Sequence, residues 1–144
     1  MTTLGFETMP PRAVALPRDE MAFRALYRPL LLSRALTTVF RPGDRIYPKW
    51  RGYSEGETVT ARIIRRPGSD ELGVPPEFDD MRIPIRIRSI SVSPIDALGR
   101  DAFQGSSPDV HDLASLATHL RHIYGRPIAA FGNLVTRIAF SYLG

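Results

Sequence analysis

Residues 81–92 read MRIPIRIRSISV, and this stretch constrains the fold more than any other. Ile83, Ile85 and Ile87 alternate with Arg82, Arg86 and Arg88. Successive side chains of a strand point to opposite faces, so the pattern predicts a β-strand with one apolar and one cationic face. Such a strand needs partners, and the sequence offers them on both sides. TTVF, ending at Phe40, is β-branched and aromatic and runs into the turn signal RPGD at 41–44. RIYPKWRGY (45–53) then has period two, with Arg45, Tyr47, Lys49 and Arg51 on one face, and Pro48 assigns it to an edge or a bulge. After the loop YSEGE, TVTARIIRR from Thr58 to Arg66 is a returning strand, and LVTRIAFSYL closes the chain as another.

Helices are expected around these strands. Asp19 is placed to cap one beginning near Glu20, with Met21, Ala22, Ala25 and Leu26 as its apolar stripe. Pro29 either kinks that helix or opens a second short turn through Leu30, Leu31 and Leu32. Ser93 with Pro94 predicts a short helix over PIDALGRDAF, and Ser107 with Pro108 repeats the signal before DVHDLASLATHLRHIYG. In the latter, Val110, Leu113, Leu116, Ala117 and Leu120 form an amphipathic face that Gly125 ends. Residues 67–80, rich in proline, glycine and acids, read as a long loop able to act as a lid. Residues 1–18, with Pro10, Pro11 and Pro17, read as a mobile arm preceding a single domain over 19–144. The expected class is α+β, a curved antiparallel sheet or small β-barrel with flanking helices.

Several functions drop out on composition. The chain of 144 residues has no cysteine, which excludes disulfides, cysteine-based zinc sites and thiol catalysis. No apolar run is long enough to span a membrane and no export signal is visible, so a cytoplasmic address without a membrane partner is expected. His119 and His122 are three residues apart, but no carboxylate follows at a ligand spacing, so no metal and no cofactor are expected and both read as surface or packing residues. The formal charge is only +4. It is nevertheless concentrated: Arg34, Arg41, Arg45, Lys49, Arg51, Arg62, Arg65 and Arg66 face only Asp44, Glu55 and Glu57 in the same region. Local excess of this kind focuses a positive potential and invites an anionic partner.

The order of these parts, from about Leu26 to Leu143, resembles the ASCH domain of the PUA-like superfamily. The resemblance rests on LSRALTTVFRPGDR, TARIIRR, ISVSPIDALGRDAF and VTRIAFSYL taken in sequence. It implies a small PUA-like barrel with a cleft that binds RNA or a nucleotide. The family signature G-x-K-x-x-T-x-R falls here on Ser33, Ala35, Thr38 and Phe40, so only the threonine matches; Arg41 stands one place beyond the signature arginine. Amidohydrolases of the family use a threonine, that lysine and a downstream glutamate. Ala35 supplies no cation, and QGSS supplies no acid.

The resulting expectation is a cleft for single-stranded RNA or a nucleotide, with phosphates on Arg34, Arg41, Arg45, Arg51, Arg86 and Arg88, Thr38 in the wall, and a base against tyrosine. The plainer alternative is a solvated strand face whose arginines serve solubility and edge protection. A second expectation is a metal-independent hydrolase, a ribonuclease before a nucleoside amidohydrolase. In it Lys49 would stabilise charge on a phosphate while Tyr47 or Tyr53, its pKa depressed by neighbouring cations, moves a proton. Lys49 as a simple phosphate contact is the alternative to that chemistry.

Overall fold

The computed structural model describes residues 16–69 and 72–143. Among them, five strands form one sheet: β1 (Glu20–Arg24), β2 (Thr38–Pro42), β3 (Thr58–Arg66), β4 (Glu77–Pro94) and β5 (Leu134–Tyr142), in spatial order β1-β3-β4-β5-β2. The sheet curls into a half-barrel because β4 is 18 residues long and serves two partners. Its first part pairs antiparallel with β3, from Arg66↔Glu77 to Thr58↔Arg86, and its second part with β5, from Ile85↔Tyr142 to Pro94↔Leu134. The alternation read from the sequence is present, with Ile85 and Ile87 fully buried and Arg82, Arg86 and Arg88 exposed. It then changes phase. Between Ile87↔Phe140 and Ser89↔Ala139 the ladder carries a bulge, so that Ile90, an even position, turns inward.

The concave face encloses the larger core, which includes Met21, Phe23, Leu36, Val59, Ile63, Ile85, Ile87, Ile138 and Phe140. A second core lies on the opposite side, where Phe40 and Val135 meet Leu116 and Leu120 of helix α2 (Leu113–Tyr124). The Asp112 side chain accepts from the Ser115 backbone amide while the Ser115 hydroxyl accepts from the Asp112 amide, a reciprocal cap for two amides of the first turn. Gly125 ends α2 in the left-handed region at φ 68°, as the sequence indicates. The short helix α1 (Arg28–Leu32) carries Pro29 in its first turn, the second of the two outcomes expected for that proline.

Several expectations are corrected. Residues 20–24 are a strand and not a helix: Met21 and Phe23 alternate with Glu20, Ala22 and Arg24, and they are buried by parallel pairing with β3. The sheet is therefore mixed, with one parallel edge on an antiparallel body. Here a period of two in five residues overrode the helical propensity of Met and Ala. RIYPKWRGY is a turn-rich loop and not a strand, with a single bridge between Ile46 and Tyr53. Ser93 and Pro94 belong to β4, and the following segment forms two 3₁₀ turns, Ile95–Ala97 and Arg100–Phe103, with no side-chain cap. The cap of α2 is Asp112 and not Ser107. Residues 77–80 of the supposed loop extend β4. Most of the expected arm, residues 1–15, lies outside the described residues; at its end Arg18 bonds to the carboxylate of Glu57 and lies over the Tyr47 ring.

Ile138 has no exposed surface and belongs to the larger core, flanked in register by Val39 of β2 and Ile90 of β4. Ile138→Ala is expected to cost about 2–5 kcal/mol in urea unfolding, whereas Leu26→Ser at an exposed site changes stability by less than about 0.5 kcal/mol.

Candidate functional site

The bulge in β4 also determines where a charge goes. Two β4 residues, from Ile87 to Ser89, span one step of β5, from Phe140 to Ala139, and the additional residue is Arg88. It lines an open cleft of about 570 Å³ together with Arg34, Thr37, Thr38, Gln104, Arg137 and Tyr142. Arg137 comes from β5, where parity puts it on the opposite face from Ile138. Its guanidinium is anchored by Nε donating to the Ala102 carbonyl at 2.8 Å, with Nη2 at 3.4 Å from Thr38 Oγ1. Arg34 follows α1 in the left-handed region at φ 64°, and its guanidinium lies 5.7 Å from the centre of the Tyr142 ring.

The cleft wall is held rigidly. The backbone amides of Thr37 and Thr38 both donate to the Gly105 carbonyl, at 2.8 and 3.0 Å. Gly105 has φ +81°, and a Cβ there would stand 2.2 Å from Thr37 Oγ1, so both the conformation and the close approach require glycine. The Tyr142 hydroxyl donates to the Leu36 carbonyl at 2.6 Å, and burial pushes its phenol up to about 12. That proton is therefore held, and Tyr142 offers its ring rather than its acidity. No carboxylate of the described residues lines the cleft. Among the described residues, no carboxylate pairs with Arg88 or Arg137.

Of the residues singled out in the sequence, the structure brings Arg34, Thr38 and Arg88 to this cleft. The others lie elsewhere. Arg41 points into the opposite end of the curl, donating to the Ala22 carbonyl at 2.8 Å. Arg45 is only 4% exposed and donates through Nε to the Pro42 carbonyl. Arg51 lies against Trp50 at the loop surface, and Lys49 is paired with Asp44 at 3.2 Å. Arg86 is exposed in register with Thr58 and Ser141, outside the cleft lining. Tyr47 is half-exposed under Arg18. Tyr53 is buried and donates to the Glu20 carbonyl at 2.8 Å, and burial raises its phenol despite Arg41 and Arg45, the reverse of the depression expected for a proton carrier. These residues diverge because 45–53 is a loop, in which alternate positions share no face. Arg137, Gln104, Tyr142 and Thr37 were not singled out. For Arg137 the signal existed: alternation in LVTRIAFSYL puts Arg137, Ala139 and Ser141 opposite Ile138 and Phe140.

Behind Thr38, which also lines it, a recess of about 20 Å³ holds a polar cluster. The Tyr27 hydroxyl donates to the Asp109 carboxylate at 3.2 Å and lies 3.2 Å from Nε2 of His119; the Ser107 hydroxyl donates to Asp109 as well. The His119 side chain is 11% exposed, so it is a packing residue as one of the sequence expectations had it. Burial lowers its pKa, Asp109 opposes that, and Arg24 and Arg41 add to it. Burial alone would raise Asp109, but the Ser107 hydroxyl and His119 bring it below the ordinary carboxylate value. Among the described residues no three His, Asp or Glu side chains are grouped to hold a metal ion.

No family model matches the sequence, and no curated protein matches it. Among solved structures the fold is similar to that of hypothetical protein PH0355, with a TM-score of 0.53 and 17% identity over 86% of this chain and 97% of that one. A second similarity is to protein EF3133 from Enterococcus faecalis V583, of the family DUF984, with a TM-score of 0.46 and 12% identity over 80% of this chain and 68% of that one. At such identities the first similarity is one of fold, and it agrees with an α+β half-barrel.

The His119 cluster makes stability depend on pH with a definite sign. Folded His119 binds its proton less tightly than the unfolded chain, whose value is near 6.5. Its contribution is therefore full above that value and is lost as pH falls through the window below it. Asp109 acts in a separate window, since its depressed pKa withdraws stability only as pH falls below the ordinary 3.8. Thermal unfolding from about pH 7 to about pH 5 is expected to show a falling Tm in the wild type and a flatter profile in His119→Gln.

Proposed function

We propose that the cleft binds single-stranded RNA or a nucleotide, with phosphates on Arg34, Arg88 and Arg137 and a base against the Tyr142 ring. The observation that carries this reading is the convergence of the Arg88 and Arg137 guanidiniums and the Tyr142 ring, with Arg34 beside them, on one open cleft that no carboxylate of the described residues lines. Guanidinium forks match phosphate oxygens, and rings stack on unpaired bases irrespective of sequence. The ASCH-like order of elements points the same way, because Thr38, its matched signature residue, is in this wall. In the family signature a lysine precedes the threonine, and here Ala35 has that place. Arg137 brings a different cation to Thr38 from across the sheet. A guanidinium stays protonated, so it cannot accept the threonine proton, and this favours a binding module over a hydrolase.

The test is anisotropy of labelled single-stranded RNA in EDTA across a salt series, with the RNA checked for cleavage afterwards. Three phosphate contacts give a slope of log K against log salt of about −2, and removing one reduces it by about 0.7. Arg88→Ala and Arg137→Ala are each expected to weaken binding about tenfold or more, while Arg65→Ala, on an exposed part of β3, has little effect. Salt-independent binding, or full affinity in both cleft variants, rules the reading out. Cleavage by the wild type in EDTA replaces it with the hydrolase.

A further inference from the structure

The row of cations continues past the lining of the cleft. Side chains of β5 alternate, so Arg137, Ala139 and Ser141 share one side of the strand, and all three line the cleft. Ala139 and Ser141 are small, which leaves a low floor beyond Arg137. Ser141 is in register with Arg86 of β4, and cross-strand partners project from the same side of a sheet. Arg86 therefore stands at the mouth of the cleft, beside a residue of its floor. Four residues of β5 separate the levels of Arg137 and Arg86, about 13 Å, and Arg88 lies between those levels.

Arg86 is exposed, and no carboxylate of the described residues pairs with it. Beyond it the same side of the sheet loses its charge. Its partner on β3 is Thr58, and the next pairs are Thr60 with Pro84 and Arg62 with Arg82. The two arginines of that last pair share the Glu20 carboxylate, at 2.9 and 3.2 Å. The loop leading into β3 carries two acids, and both are engaged elsewhere: Glu57 with Arg18 and the Ser54 amide, Glu55 with the Ile90 amide. The uncompensated row thus runs from Arg137 past Arg88 to Arg86 and stops there.

We propose that the cleft takes the interior of a single strand of RNA rather than a mononucleotide, and that the strand leaves across β4 toward β3 with a phosphate on Arg86. The proposal rests on the reading of the cleft given above and fixes the class of ligand within it. A mononucleotide has its phosphate at one end and cannot meet cations at both ends of the row, whereas a strand carries a phosphate at every sugar. A strand also needs cations along its course rather than a closed pocket, and the small residues of the floor let a backbone lie between them.

The probe is hexauridylate carrying a fluorophore, read by anisotropy in EDTA, with uridine 5′-monophosphate as competitor. Arg86→Gln removes a charge at an exposed position, and Thr58→Glu sets a carboxylate beside that charge, also at an exposed position. Each is expected to weaken hexauridylate about fivefold and to lower the slope of log K against log salt by about 0.7, while the inhibition constant of the monophosphate keeps its wild-type value. Arg88→Ala is expected to weaken both ligands. Wild-type hexauridylate affinity and slope in Arg86→Gln and Thr58→Glu, with both ligands weakened in Arg88→Ala, overturn the exit path and leave the cleft reading standing for a nucleotide. Equal losses of hexauridylate and monophosphate in Arg86→Gln overturn it too, because Arg86 then belongs to the nucleotide site. Indifference of both ligands to Arg88→Ala removes the cleft reading and this proposal with it. Polyglutamate that displaces the probe as readily as unlabelled hexauridylate assigns the face to an acidic protein and overturns the strand.

Discussion

The bulge at Ile87–Ser89 of β4 is the constraint on which the rest of the structure depends. A strand that pairs with β3 along its first part and β5 along its second must bend, or its apolar face would leave the core halfway along. One added residue supplies the bend and reverses the parity, so that Ile85 and Ile87 before it and Ile90 after it all face inward. The added residue cannot itself face inward without breaking that sequence. It is Arg88, and it projects into the cleft. Core continuity and the position of a candidate ligand contact are thus one event in the backbone. The loop before β3 secures the bend: Gly56 donates to the Ile87 carbonyl, Ile87 to that of Glu57, and Ile90 to the Glu55 carboxylate.

Among the described residues, no ladder closes the opposite side of the curl. β1 and β2 are the two ends of the sheet order, and side chains bridge the gap: Arg41 of β2 to the Ala22 carbonyl of β1, and Tyr53 to that of Glu20. Edge strands carry unpaired backbone groups that attract other chains, and these bonds satisfy carbonyls of an edge. Arginine and tyrosine are suited to the seam because each spans a gap with an apolar stem or ring and ends in a donor. That gives residues of functional type a structural contact across the seam.

How far the sequence revealed the fold follows from how local each determinant is. The bounds of β3 and the identity of β5 were legible because alternation over nine residues is recorded in the segment itself. The five residues of β1 were not, since a short apolar pattern fits either period until its partner strand is known. The same holds for the cleft. Arg34, Thr38 and Arg88 were named for their charge or their place in a signature. Arg137 joins them only through the pairing of β4 with β5, a contact between segments almost fifty positions apart. RIYPKWRGY misled because its alternation was real as a pattern, yet nothing pairs with it as a strand should.

Charge shows the difference between composition and field most clearly. In sequence the densest basic run includes Arg62, Arg65 and Arg66. In space Arg62 meets Glu20 at 2.9 Å, and Arg65 and Arg66 share Glu77 at 2.7 and 3.1 Å. Glu20 also takes Arg82 at 3.2 Å, and Asp79 takes Arg28 at 3.5 Å. The acids are gathered on the β1–β3 side and the adjoining part of β4, neutralising the arginines that made the sequence look basic there. The β5 side receives no such compensation at Arg88 or Arg137 among the described residues. A net charge of only +4 is therefore no measure of the potential at the cleft: the pairing that lowers the field on one face leaves it concentrated on the other, where an incoming anion would encounter it.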